Sequence, residues 1–192
     1  VVHRQNDLVP AVILNELDAE IRKLKEESTE IFAADIEMDV SICVLDKAKT
    51  KLQFAGSVNP LYLIRNGELS QINADRFSVG FGPGMVHQQF ANHEHELQQG
   101  DMLYLFSDGF ADQFGGENNK KFTYKRFREL LSSAFELPIS EQRAFIESRF
   151  DEWKGGEAQT DARFAAEPHV HATGLKARAS AGTYGDLRRI AA

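Results

Sequence analysis

The 192 residues, 42% hydrophobic and 27% charged, match one globular domain with enough apolar side chains for a sizeable core, or one domain plus a tail. A formal net charge of -7 works against a phosphate-backbone partner, so nucleic-acid binding is not expected. A single cysteine, Cys43, excludes an internal disulfide and fits a reducing, cytoplasmic setting, and no apolar run approaches the ~20 residues of a membrane span, so no membrane contact is expected.

The first predicted element is a helix. Asp7 is placed to cap it, and Pro10 is tolerated only in a first turn. Leu14, Leu17, Ile21 and Leu24 then recur at helical spacing and form one apolar stripe, facing a core or, as the alternative, a homodimer seam. Residues 38–45 (MDVSICVL) alternate and then turn nearly all apolar, which predicts a strand covered on both faces with Cys43 in the core. Residues 46–50 make a turn, and Leu52 to Ala55 alternates back. Two further strand-like runs flank Asn66-Gly67, a pair that favours positive φ at both centres and so a type I′ hairpin.

Residues 78–86 hold three glycines and a proline and read as a loop. Residues 89–97 form a polar strand near an edge; His93 and His95 share one of its faces, without an identifiable third ligand. Gly100-Asp101 turns into the most apolar run, residues 102–106 (MLYLF), a central buried strand. Two helices follow: Tyr124, Phe127, Leu130, Leu131 and Ala134 share a face of the first. Ser140 is the expected N-cap of the second, where Ile146, Phe150 and Trp153 share a face. After Asp161 the pattern breaks: residues 162–192 hold five Lys/Arg against two acids, many alanines and no strand-like run. The expected division is therefore a domain over 1–161 and a poorly ordered or out-of-frame tail over 162–192.

Ser107-Asp108-Gly109 stands where the buried strand ends. An ionised aspartate there is costly to desolvate unless it is compensated, by a hard divalent cation or within a capped turn. Ser107 has no triad context and is not read as a nucleophile. The longer string over 97–116 (LQQGDMLYLFSDGFADQFGG), with residues 52–67 (LQFAGSVNPLYLIRNG), closely resembles the SpoIIE-type branch of the PP2C-like protein serine/threonine phosphatases. The resemblance runs from about residue 10, through Lys120-Lys121-Phe122 and both helices, to Gln159-Thr160-Asp161.

That resemblance implies an α+β fold: an antiparallel β-sandwich flanked by helices, here as a partial domain. It implies hydrolysis of phosphoserine or phosphothreonine with a pair of Mn²⁺ or Mg²⁺ ions. Asp108 and Asp161 fall on metal-ligand positions, and Gly109, Asp112 and Asn59 lie beside the site. Val58 replaces the family's usual histidine, Ala162 replaces the second aspartate of its late pair, and the family's early metal motifs have no counterpart. The chain alone is accordingly expected to be inactive. The implied partner is a phosphorylated regulatory protein of the anti-anti-sigma type, in bacterial signalling. A non-catalytic interaction module on the same scaffold is the alternative.

Overall fold

The computed structural model describes residues 8–27, 37–80, 88–158 and 171–174. Its helices are α1 (Pro10–Glu27), α2 (Gly109–Asp112), α3 (Thr123–Phe135) and α4 (Ile139–Lys154). Its strands are β1 (Ser41–Leu45), β2 (Lys51–Gly56), β3 (Leu61–Arg65), β4 (Glu68–Ile72), β5 (His93–Glu96), β6 (Met102–Leu105), β7 (Phe114–Gly115), β8 (Lys120–Lys121) and β9 (His171–Gly174).

Local chemistry sets the hairpins. The Asp46 carboxylate accepts the backbone N–H groups of Thr50 at 2.7 Å and Lys51 at 2.9 Å, closing the turn between β1 and β2. Asn66 and Gly67 have φ of 51° and 82°, so β3 and β4 join through the positive-φ pair that their residue types favour. Both sheets are antiparallel, ordered β1-β2-β5 and β4-β3-β6-β9, and β7 pairs with β8 in a separate ribbon. The run around Tyr104 thus forms an interior strand, as its apolar character predicts. Asp101 anchors the turn before it. Its carboxylate, 1% exposed, accepts Arg65 Nε at 2.8 Å, Arg65 Nη2 at 2.6 Å and the N–H of Gln98 at 2.8 Å. Burial alone would raise its pKa, but these donors and the Arg65 charge hold it below the usual value.

The two-residue period of the strands then decides the layers. Leu52 and Phe54 of β2, Leu61 and Leu63 of β3 and Leu103 of β6 pack together between the sheets, with Ile72 and Leu97. The alternate residues Tyr62, Ile64, Met102 and Tyr104 pack on the opposite face with Phe110, Phe127, Leu131, Ile146 and Phe150. On the outer face of the three-stranded sheet, Ala55 meets Ala11, Leu14 and Ile21 of α1. The order is helix, sheet, sheet, helices: an α+β antiparallel sandwich flanked by helices. Each of these large apolar side chains, fully buried, contributes about 2–3 kcal/mol.

Several details depart from the pattern in the sequence. The buried face of α1 runs through Ala11, Leu14, Asp18 and Ile21, while Leu24 is 57% exposed. Asp18 holds a core-facing position because it accepts the N–H of Gly80 at 2.7 Å and Arg22 Nε at 2.6 Å, which turns the helix away from the purely apolar stripe. β1 is packed on both faces, Cys43 and Leu45 against the core between the sheets and Ile42 against the cluster of α1, but as the last strand of its sheet it stays half-buried along its length, Cys43 included. Ser140 lies inside α4 instead of capping it. The boundary falls at Pro138, whose carbonyl accepts the N–H groups of Glu141 at 2.8 Å and Gln142 at 3.2 Å.

β9 arises where no strand was expected. Its residues, His-Ala-Thr-Gly, carry no alternation, but pairing along the edge of β6 uses main-chain groups and asks little of the side chains. The rest of 162–192, and with it the expected tail, lies outside the described residues, as do Asp7 and Asp161.

Candidate functional site

β6 leaves the sheet at Leu105, and the chain passes through Phe106 and Ser107 to Asp108 before α2 begins. Phe106 is buried against the Phe127 ring at 4.9 Å and Ser107 is exposed, so the segment is gripped on one side and open on the other. Asp108 has helical backbone angles (φ -65°, ψ -18°), and its carbonyl accepts the N–H of Asp112 at 2.9 Å. The residue is half-buried just past the end of an interior strand, on a frame fixed by the sheet behind it. Gly109 is buried directly after it.

Asn59 borders the same corner from the β2–β3 connection. Its side chain is buried, and its Oδ1 accepts the Tyr124 hydroxyl at 3.3 Å. The backbone leading to it is strained. Val58, β-branched and 45% exposed, has φ of 61°, and the N–H of Asn59 bonds back to the Ser57 carbonyl at 2.6 Å. Ser57 holds this turn from below, its buried hydroxyl accepting the N–H of Val40 at 2.7 Å. Thr123, immediately before Tyr124, also has a positive φ, 76°. Two β-branched residues in this unfavourable conformation therefore flank one hydrogen bond.

Tyr124 was expected on the apolar face of its helix. It instead sits at the rim of that face, 36% exposed, with its ring 6.3 Å from Phe106. Burial pushes its pKa up to about 12, with the negative charges of Asp108, Asp112 and Asp39 adding to the effect. Its hydroxyl thus stays protonated and donates to Asn59. The Asp112 carboxylate pairs with the Lys121 ammonium at 2.9 Å. Asp39 accepts the Ser78 hydroxyl at 2.7 Å. Neither Tyr124 nor Asp39 stood out in the sequence. A tyrosine heading an amphipathic helix is a weak signal, and Asp39 gives none.

Carboxylate oxygens at this corner have the right chemistry for a hard cation such as Mn²⁺ or Mg²⁺. Their number does not suffice: among the described residues no three His, Cys, Asp or Glu side chains form a group able to hold a metal ion. Asp161 lies outside the described residues. The described residues thus do not compose a metal centre by themselves. His93 and His95 alternate on edge strand β5, where burial first and then the charges of His93 and Arg65 lower the pKa of His95. No helix among the described residues is long and apolar enough to cross a membrane.

The family model described as Stage II sporulation protein E (SpoIIE) matches residues 2–165. Among solved structures, the SiaA-PP2C domain of Pseudomonas aeruginosa is similar at a TM-score of 0.66 and 29% identity, covering 80% of this chain and 56% of that one. The chain thus spans little more than half of that relative. The catalytic domain of the serine/threonine phosphatase PstP, in complex with 2 manganese ions, has a TM-score of 0.56 at 16% identity, covering 80% and 69% of the two chains. The manganese-presoaked phosphatase domain of SpoIIE from Bacillus subtilis has a TM-score of 0.53 at 10% identity, covering 94% and 80%. At such low identities the last two speak for the fold. No curated protein matches the sequence. By the match over residues 2–165 and the shared arrangement of helices and sheets, the chain belongs to the SpoIIE family of PP2C-like phosphatase domains.

Proposed function

We propose that this chain forms the Asp108 side of a phosphoprotein phosphatase site, in a domain that cleaves phosphoserine or phosphothreonine with water to release the free hydroxyl and inorganic phosphate. The observation that carries this reading is that Asp108 stands half-buried at the end of an interior strand, inside a segment matched by the family. Asp108 is read as a metal ligand acting with Asp161 and further donors, and Mn²⁺ or Mg²⁺ as the cofactor. Asn59 and Tyr124 hold the rim in place through their hydrogen bond, and Lys121 offsets the charge of Asp112. The substrate is read as a phosphorylated regulatory protein of the anti-anti-sigma type, in the bacterial cytoplasm.

Because the described donor set is incomplete, turnover is expected only when these residues sit in a domain of the relatives' full length. In such a domain, phosphate release from a phosphoserine protein with Mn²⁺ is expected to fall by about a hundredfold or more on Asp108→Asn. Retention of turnover by that variant would sink the assignment. A second reading, a non-catalytic interaction module, is favoured by the donor count among the described residues alone. It predicts that the full-length domain binds the phosphoprotein without releasing phosphate, and equally well with Asp108→Asn.

A further inference from the structure

The surface beside this site is cationic although the chain as a whole is acidic. Lys120, Lys121, Lys125 and Arg126 line a cleft of about 380 Å³, together with Thr123 and Glu129. Four cations thus face one carboxylate, in a chain with 29 Asp and Glu against 22 Lys and Arg. β8 supplies the first two cations and the first turn of α3 supplies the others.

Two of the four are engaged. Lys121 pairs with Asp112 at 2.9 Å, and the Arg126 guanidinium lies 4.2 Å from the centre of the Trp153 ring. Lys120 and Lys125 are exposed, and neither has an ion pair among the described residues. The first turn of α3 holds no acidic residue and no side-chain cap, so the lysine and arginine charges stand at the positive end of the helix. Concentrating like charge in one cleft is unfavourable in the free protein, and an anionic ligand relieves it.

The cleft also borders the Asp108 corner. Tyr124 lies between two of its lining residues, Thr123 and Lys125, while its hydroxyl bonds Asn59 and its pKa responds to Asp108. Lys121 reaches the same corner through Asp112.

We infer that this cleft docks an acidic segment of the protein substrate, with carboxylates flanking the phosphorylated residue held by Lys120 and Lys125. The identity of the partner rests on the phosphatase reading, whereas the charge preference rests on the cleft. A short acidic peptide is favoured over nucleic acid because the patch is confined and the chain as a whole, patch included, carries a net charge of -7.

Fluorescence anisotropy with the intact chain tests the inference. The probes are a short labelled phosphoserine peptide with flanking glutamates, its unphosphorylated counterpart, a phosphoserine peptide with flanking glutamines, and a single-stranded oligonucleotide of matching charge. Both glutamate peptides are expected to bind about tenfold tighter than the glutamine peptide, with the preference weakening as salt rises. Lys120→Glu/Lys125→Glu, and the milder Lys120→Gln/Lys125→Gln, are expected to abolish the preference with the circular dichroism spectrum unchanged. Equal binding of the glutamate and glutamine peptides, a preference that survives both double variants, or equally tight oligonucleotide binding overturns it. Failure of the phosphatase reading is registered separately, by absent phosphate release in the full-length domain, and leaves the anisotropy preference in place.

Discussion

Tyr124 is the side chain on which the charges of this corner converge. Its hydroxyl donates to the buried Asn59 amide oxygen, and burial together with neighbouring carboxylates lifts its pKa to about 12. Tyr124→Phe leaves that oxygen without its donor and is expected to cost about 1 kcal/mol in urea unfolding. The pH dependence has a definite sign. An unfolded tyrosine titrates near ~10, so the folded state binds the proton more tightly, and its contribution is complete below that pH and lost as pH rises toward 12. Alkaline unfolding curves of the wild type and Tyr124→Phe should converge over that interval; curves that stay parallel through it contradict the assignment.

Among the elements, the contact between β7 and α4 is tightest at Gly115. A Cβ built on Gly115 would lie 2.0 Å from the Trp153 carbonyl oxygen, and Gly116 donates its N–H to that oxygen at 2.8 Å. Gly115→Ala must push the ribbon off the helix, which is expected to cost about 2–3 kcal/mol and to shift emission from the single tryptophan. Thermal unfolding and fluorescence of the variant check this; a wild-type midpoint would contradict it. The sequence made some elements legible for physical reasons. Asn66-Gly67 specified its hairpin because few other residue pairs favour that backbone, and Leu52 and Phe54 marked one face of their strand by alternation, whereas Leu61, Leu63 and Leu103 stand in continuous apolar runs that mark a strand but not its inner face. The turned face of α1 was hidden because Asp18 is buried by a bond to Gly80, 62 residues away. β9 was hidden because its pairing is made by backbone. Of the proposed site, Asp108, Gly109 and Asn59 stand in contiguous strings that single them out in the sequence, whereas Tyr124 joins Asn59 across 65 residues and no local pattern encodes that meeting.

At the scale of the whole molecule, two sheets share an inner core and carry helices on both outer faces, a layering that anchors the Asp108 segment on three elements. β6 delivers the carboxylate, the β2–β3 connection delivers Asn59, and α3 delivers Tyr124. The central claim is that this corner is where a hard divalent ion engages the chain. Its most direct test is titration of these residues, ¹⁵N-labelled within a domain of the relatives' full length, with Mn²⁺, whose unpaired electrons broaden amide signals more steeply the nearer they lie. Broadening that begins at Asp108 and Gly109, spreads to Asn59 and Tyr124, and disappears with Asp108→Asn is the predicted result. Broadening centred on His93 and His95, or a pattern identical in wild type and Asp108→Asn, would contradict it.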